Sequence, residues 1–335
     1  LNSSTPQLPH MLPQFIQRYT GALRSWKGAY VLNNLWNARL LWRNRPLYRQ
    51  FGLRKSVFAP IGWADFPQHD TQNVPWLDKP DATAALEAHP DFAAYPPALQ
   101  DSIRTFVRDG YLILENFFPE TDTKALNAEV EALLAKGEVG FNYTGRKIFN
   151  LFEQSALARD RFFRHPDVLS LLSFLLGRQA VPFQSLNFTE GSEQRAHSDS
   201  IHMTTEPPGY LIATWIALED IAADSGPLFY YPGSHRLPWI MTPDYDSGNT
   251  AYTIGSDSNR HYEDRIEQLI REHGLEKKMF LPKRGDVLIW HANLLHGGSP
   301  IARTGSTRRS MVCHYYAEKV ICYHEMSQRP ALIQP

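Results

Sequence analysis

The chain has 335 residues, 43% hydrophobic and 21% charged, enough to bury a full core. Its 34 basic and 35 acidic residues give a net charge of −1 and a pI of about 7.0, so no nucleic acid partner is expected. Two cysteines, Cys313 and Cys322, are too few and too close to staple a fold, and fit a reducing, cytoplasmic setting. The longest apolar stretches are broken by Lys, Arg or Asn, so no transmembrane helix is expected. The first residue is Leu1 rather than Met, which leaves a processed or truncated start open.

Residues 1–64 stand apart, with nine Lys or Arg, no Asp or Glu, and aromatics throughout (Trp26, Tyr30, Trp36, Trp42, Tyr48, Phe51). The remainder carries 25 basic against 35 acidic residues. Residues 21–43 read as helical, with Leu32, Leu35, Trp36 and Leu40 at mixed spacings of three to five. Such a basic aromatic arm can anchor on an anionic membrane surface, face an acidic substrate or be the remnant of a targeting segment. It can equally pack on the acidic body or on a second subunit of a homo-oligomer, and the packed arm is the expectation. No continuous apolar core marks a cleavable signal peptide.

Residues 65–97 hold Pro75, Pro80, Pro90, Pro96 and Pro97 and read as a connector with one short helical turn over 81–90. The 98–335 domain follows. A helix starts at Pro97, shows an apolar stripe of Ile103, Phe106 and Val107, and stops at Gly110. A strand over 110–118 comes next. A helix over 121–137 then puts Leu126, Val130, Leu133 and Leu134 on one face, and a third runs from Pro166 to Gly177. From Ala180 the period shortens. Segments 181–189, 209–220, 227–232, 278–282, 286–291 and 309–317 are short and rich in β-branched and aromatic residues, separated by turn clusters. Many short strands after a run of helices imply a mixed α+β chain whose mainly β core is a distorted barrel or sandwich with helices outside. The insertion 240–275, polar and then helical, is long for a connection and reads as a lid or binding loop.

Chemistry concentrates at His197-Ser198-Asp199. On an extended strand His197 and Asp199 project from one face and Ser198 from the other. An imidazole beside a carboxylate makes two-thirds of the facial triad of non-haem Fe(II) oxygenases. His291 and His296 are both available as the third ligand, and His291 also reads as a packed core histidine. Arg308 and Arg309 follow, and only one of two neighbours on a strand can face inward. A guanidinium there suits a dicarboxylate.

These residues, with DGYLILENFF (109–118) and SGPLFYYPGSH (225–235), resemble the phytanoyl-CoA dioxygenase family of Fe(II)/2-oxoglutarate oxygenases over roughly residues 100–318. The resemblance implies a double-stranded β-helix (jelly roll, cupin-like) and a dioxygenase that uses Fe(II), 2-oxoglutarate and O2 to hydroxylate a small organic molecule, releasing succinate and CO2. It selects His296 as third ligand, since it precedes a glycine-serine turn near the family spacing, and Arg308 as the cosubstrate clamp. It also points to Trp215, eighteen residues after His197, and to Gln184 as residues of the cosubstrate pocket, with core packing as the other reading of Trp215. One departure stands out: the extra glycine of His296-Gly297-Gly298-Ser299 puts Ser299's usual contact in question. Asp199 is the carboxylate that related halogenases replace with a small residue, so its presence implies oxidation rather than halogenation. Lys147 is either a further anionic contact or a solvated lysine. His202 has a reading as a substrate-facing residue, His235 as a turn residue, and His314 and His324 have no role in this scheme.

Two other classes fit parts of the pattern. Two histidines and a carboxylate suit a Zn(II) hydrolase, but no H-E-x-x-H helix appears and Arg308 would be idle. A non-catalytic cupin-like binding protein would not need the intact set of His197, Asp199, His296 and Arg308.

Overall fold

The structure is a computed structural model that describes residues 25–142 and 145–332. Twelve strands among these residues form the core: β1 (Tyr111–Leu114), β2 (Lys147–Phe149), β3 (Ala180–Phe188), β4 (Thr204–Glu206), β5 (Leu211–Ala217), β6 (Leu228–Tyr230), β7 (Lys278–Met279), β8 (Val287–His291), β9 (His296–Gly298), β10 (Ser310–Ala317), β11 (Ile321–His324) and β12 (Arg329–Pro330). The largest sheet has the order β1-β8-β5-β10-β3-β2, every neighbour antiparallel. Two smaller sheets, β7-β6-β9 and β12-β11-β4, complete the double-stranded β-helix.

Period-two alternation divides each strand of the large sheet between two cores. On one face Ile212, Ile216, Ile289, Met311 and Tyr315 meet the helices. On the other, Ala213, Trp215, Leu288, Trp290 and Val312 face Leu228 and Tyr230 of β6. The helices supply complementary stripes: Ile103, Phe106 and Val107 from α4 (Pro97–Asp109), Thr123, Leu126, Val130 and Leu133 from α5 (Glu120–Ala135), and Leu171, Leu172 and Leu175 from α6 (Pro166–Leu176). Each such side chain withdrawn from water contributes roughly 1.5–3 kcal/mol. Gly110 ends α4 at φ +82°, and a Cβ there would lie 2.6 Å from the His235 ring, so both backbone and space require glycine.

The N-terminal arm packs on this body. α1 (Lys27–Trp36) continues through helical turns to α2 (Arg45–Gln50), and residues 21–24 of the expected helix lie outside the described residues. Lys27, Asn34, Leu41 and Tyr48 are seven apart, share one face and are buried. Leu41 and Tyr48 join Leu53, Val57, Ile61 and Phe66 against Ile321 and Tyr323. The two polar members are satisfied: Lys27 Nζ donates to Thr250 O and Gln328 Oε1, both at 2.6 Å, and Asn34 Nδ2 donates to Phe58 O at 2.9 Å.

Residues 65–97 contain a short helix α3 (Ala82–Glu87), and their Leu77, Leu86 and Phe92 enter the main core. Two buried carboxylates hold this part of the chain. Glu206 accepts from Asp70 N at 2.8 Å and meets His69 Nδ1 at 2.8 Å, while Glu325 accepts from Trp63 N at 2.7 Å and from Thr242. The insertion carries α7 (Ser258–Glu272), docked through Tyr262, Ile266 and Leu269.

Candidate metal and cosubstrate site

His197 lies outside regular strand but makes an isolated antiparallel bridge with His296 at the start of β9. Each backbone N–H of the pair donates to the other's carbonyl, at 3.0 and 2.9 Å, which brings the two imidazoles to a centroid separation of 4.5 Å. Ser198 is extended (φ −104°, ψ 151°), so Asp199 returns to the His197 side although a 3-10 turn begins there. Ser198 points away, its Oγ 3.1 Å from Tyr262 Oη and 2.6 Å from Ser200 Oγ. One ligand atom from each of His197, Asp199 and His296 lies within 4.8 Å of the others, and all three residues are buried.

The second nitrogens set the tautomers. His197 Nδ1 lies 2.9 Å from Arg195 O and His296 Nδ1 2.9 Å from Leu294 O, so each Nδ1–H donates to a carbonyl and each Nε2 lone pair faces the triad. Burial and the neighbouring His296 push His197 well below the usual imidazole range, which keeps it neutral. Burial would raise the Asp199 carboxyl, but His296, His314 and His197 outweigh it and hold it well below the usual carboxylate range. Asp199 Oδ2 accepts from Trp290 Nε1 at 2.7 Å, and Oδ1 lies 3.7 Å from His296 Nε2. Two imidazoles whose Nε2 atoms face the triad and an oriented carboxylate are a donor set that fits Fe(II).

The triad opens on a cavity of about 1090 Å³, whose lining includes Gln184, Trp215 and Arg308. Arg308 precedes β10 and is 2% exposed, and its Nε has no hydrogen-bond partner among the described residues. Its guanidinium carbon lies 5.2 Å from the Phe188 ring and 5.7 Å from that of Trp215, and among the described residues it makes no ion pair. Burial lowers its pKa to about 10. A buried guanidinium without a counter-ion is costly, so this one fits an incoming anion. Arg309 faces the other way, 2.5 Å from Glu131 and 3.8 Å from Glu219. Trp215 packs edge-on to Phe280 and is buried, while Gln184 stands opposite His314 in the β3–β10 register. Lys147 also lines the cavity, 3.3 Å from Gln194 Oε1, and burial lowers its pKa.

His291 is elsewhere. Its Nε2 lies 3.0 Å from Asp78 Oδ1 and its Nδ1 accepts from Asn293 N. Ser299 is buried, with its Oγ unpartnered, and does not line the cavity. The glycines before it have a steric reason. A Cβ on Gly297 would lie 2.7 Å from Gln194 O, and one on Gly298 would strike Ser192 Oγ, so β9 runs too close to residues 192–194 for any side chain.

Two features escape a reading of the sequence. Trp290 sits on a strand whose five residues are all buried, so alternation marks no functional face. His314, without a role in the sequence-based scheme, has Nε2 3.6 Å from Asp199 Oδ2. His202 and His324 also line the cavity, and their rings lie 5.4 Å apart.

Fold and donor set together define a non-haem iron oxygenase of the double-stranded β-helix class. The family model for phytanoyl-CoA dioxygenase (PhyH) matches residues 106–310, and the chain belongs to that family. The ectoine dioxygenase of Bordetella bronchiseptica is 26% identical over 259 residues, covering 67% of this chain and 80% of the relative. The mouse phytanoyl-CoA dioxygenase domain-containing protein 1 is 24% identical over 254 residues, 58% of this chain and 82% of its own. Among solved structures, the epimerase SnoN in complex with Fe3+, alpha ketoglutarate and nogalamycin RO is similar in fold, with a TM-score of 0.52, 21% identity, and coverage of 68% and 86%. The protein is a non-haem Fe(II)- and 2-oxoglutarate-dependent dioxygenase. No helix among the described residues is long and apolar enough to cross a membrane.

Proposed function

We propose that the enzyme hydroxylates a small polar organic molecule, with His197, Asp199 and His296 holding Fe(II) and Arg308 holding the far carboxylate of 2-oxoglutarate. One observation carries this reading: the triad and a buried Arg308, without an ion-pair partner among the described residues, line the same cavity. When bound, the iron supplies O2 activation coupled to oxidative decarboxylation of the cosubstrate. The chain's own contribution is positioning. The carbonyls of Arg195 and Leu294 fix the tautomers, and Trp290 holds one carboxylate oxygen so that the other faces the histidines. Arg308 replaces the water that a dicarboxylate loses, over a floor of Phe188 and Trp215, and Gln184 offers an amide to the same ligand. Asp199 occupies the position where a halogenase needs a vacancy, which supports hydroxylation.

The rest of the cavity wall is mixed, with Phe149, Phe152, Phe183 and Met203 set among polar side chains. Asn33, Asn150, Gln194, His202, Asn259 and His324 favour a substrate rich in hydrogen-bonding groups, in keeping with the ectoine named for one relative. The cytoplasm is the proposed location, supported by two buried, unpaired cysteines. Iron- and 2-oxoglutarate-dependent succinate release tests the reading, followed by a panel of small polar compounds scored for coupled against uncoupled turnover. Tight zinc binding with no succinate release under any metal would favour a hydrolase instead.

A further inference from the structure

The outward face of the N-terminal arm is built unlike the rest of the surface. Of the ten large hydrophobic side chains exposed among the described residues, five fall between residues 26 and 42: Trp26, Leu32, Leu35, Trp36 and Trp42. Trp36 is 87% exposed, which is unusual for the largest apolar side chain. These residues are not a failed core, because the buried stripe of Lys27, Asn34, Leu41 and Tyr48 already docks the arm on the body from the opposite side. A helix held to a soluble body by one face is expected to be polar on the other. This one presents Leu32, Leu35 and Trp36.

Arginines surround the apolar face. Arg39, Arg43, Arg45, Arg49 and Arg54 are all exposed, and none makes an ion pair among the described residues. Arg45 lies 5.2 Å over the Trp42 ring. On the body, by contrast, Arg104, Arg159, Arg195, Arg260, Arg303 and Arg309 each meet a carboxylate. Residues 1–64 contain no acidic residue that could neutralise the arm from within.

We infer that this face docks the enzyme on an anionic lipid surface. Tryptophan and leucine on an exposed helix suit the boundary between headgroups and acyl chains, and unpaired guanidiniums suit anionic headgroups. A polyanion such as nucleic acid would use the arginines but leave the leucines and Trp36 in water. A second copy, whose body carries 35 acidic against 25 basic residues, could meet the arginines and is the competing occupant that the test below separates from a lipid surface. Asn33 and Asn34 of the same helix line the active-site cavity, so docking sets how that cavity is oriented to the bilayer.

The full chain should be sedimented with vesicles of phosphatidylcholine alone and of phosphatidylcholine mixed with phosphatidylglycerol, at low and high salt. The expected result is pelleting with the anionic vesicles, loss at high salt, and a blue shift of tryptophan emission. Arg39→Ser and Arg43→Ser should each lower partitioning about fivefold. Leu32→Ser combined with Trp36→Ser should abolish the blue shift, and iron-dependent succinate release should stay unchanged as evidence of folding. Equal binding to neutral vesicles, or binding indifferent to these substitutions, overturns the inference. So does a concentration-dependent dimer lost in Trp36→Ser with no vesicle binding, which would assign the face to a second copy.

Discussion

Trp290 Nε1 donates a hydrogen bond to Asp199 Oδ2 at 2.7 Å, from β8, which lies between β1 and β5 in the large sheet. The indole thereby binds one carboxylate oxygen in the buried site and leaves Oδ1 on the histidine side. Trp290→Phe keeps most of the packing volume but removes the donor. Fe(II) affinity should fall about 10–100-fold, while saturating iron restores the cosubstrate complex. Anaerobic Fe(II) titration measures this. Unchanged affinity would mean that the indole is only a packing residue.

Arg308 and Arg309 should behave oppositely. Arg308→Ala removes the cation that faces the cavity, and a charge-assisted hydrogen bond is worth roughly 1.5–3 kcal/mol, so the 2-oxoglutarate requirement should rise about 10–150-fold with iron still bound. Arg309→Ala breaks a partly exposed pair with Glu131, and the requirement should stay within about twofold. The reverse pattern in cosubstrate titrations would place the clamp one residue later.

These two residues also show how far the sequence is legible. Alternation along 309–317 requires one arginine inside and one outside, and motif order favours Arg308; the structure places Arg309 on Glu131 and Arg308 in the cavity. The long apolar strands and the helices stopped by Gly110 and Gly177 are readable because their period persists over several residues. β2, β4, β9, β11 and β12 run two to four residues each, too short for any period to show. The arm's inward stripe is hidden for another reason: Lys27 and Asn34 are polar, so hydrophobic spacing points to Leu32 and Trp36, which lie outside. His314 could not be placed, because its relation to Asp199 depends on sheet register between distant segments.

The arm should matter for stability more than for metal chemistry. Leu41 is 1% exposed in the cluster that joins the arm to β11. Leu41→Ala should lower unfolding free energy by about 2–5 kcal/mol. Uncoupled 2-oxoglutarate turnover per folded molecule should be unchanged. Denaturant titration with parallel turnover assays checks both, and loss of iron binding in the folded variant would show that the arm builds the site.

Acid should destabilise the metal-free protein through its buried histidines. Burial lowers His202 to about 4 and His235 to about 3, and puts His197 and His324 well below the usual range. Below about pH 6.5 the unfolded chain therefore takes up protons that the folded chain refuses. Stability is full above that pH and falls as pH drops, by about 1.4 kcal/mol per unit for each such histidine. Denaturant unfolding at several pH values should show this slope, and His235→Asn should reduce it by about one proton. Stability that is flat or rising toward acid would contradict the assignment of these histidines as neutral.

The central claim is that His197, Asp199 and His296 bind the iron and His291 does not. Anaerobic addition of Fe(II) and 2-oxoglutarate should produce the visible charge-transfer band of a chelated keto acid in the wild-type protein. The band should vanish in His197→Ala and in His296→Ala, and persist in His291→Ala, whose imidazole lies beside Asp78 and does not line the cavity. A band that survives His296→Ala and disappears in His291→Ala would contradict the ligand set, and a wild-type protein that never shows it would contradict the oxygenase itself.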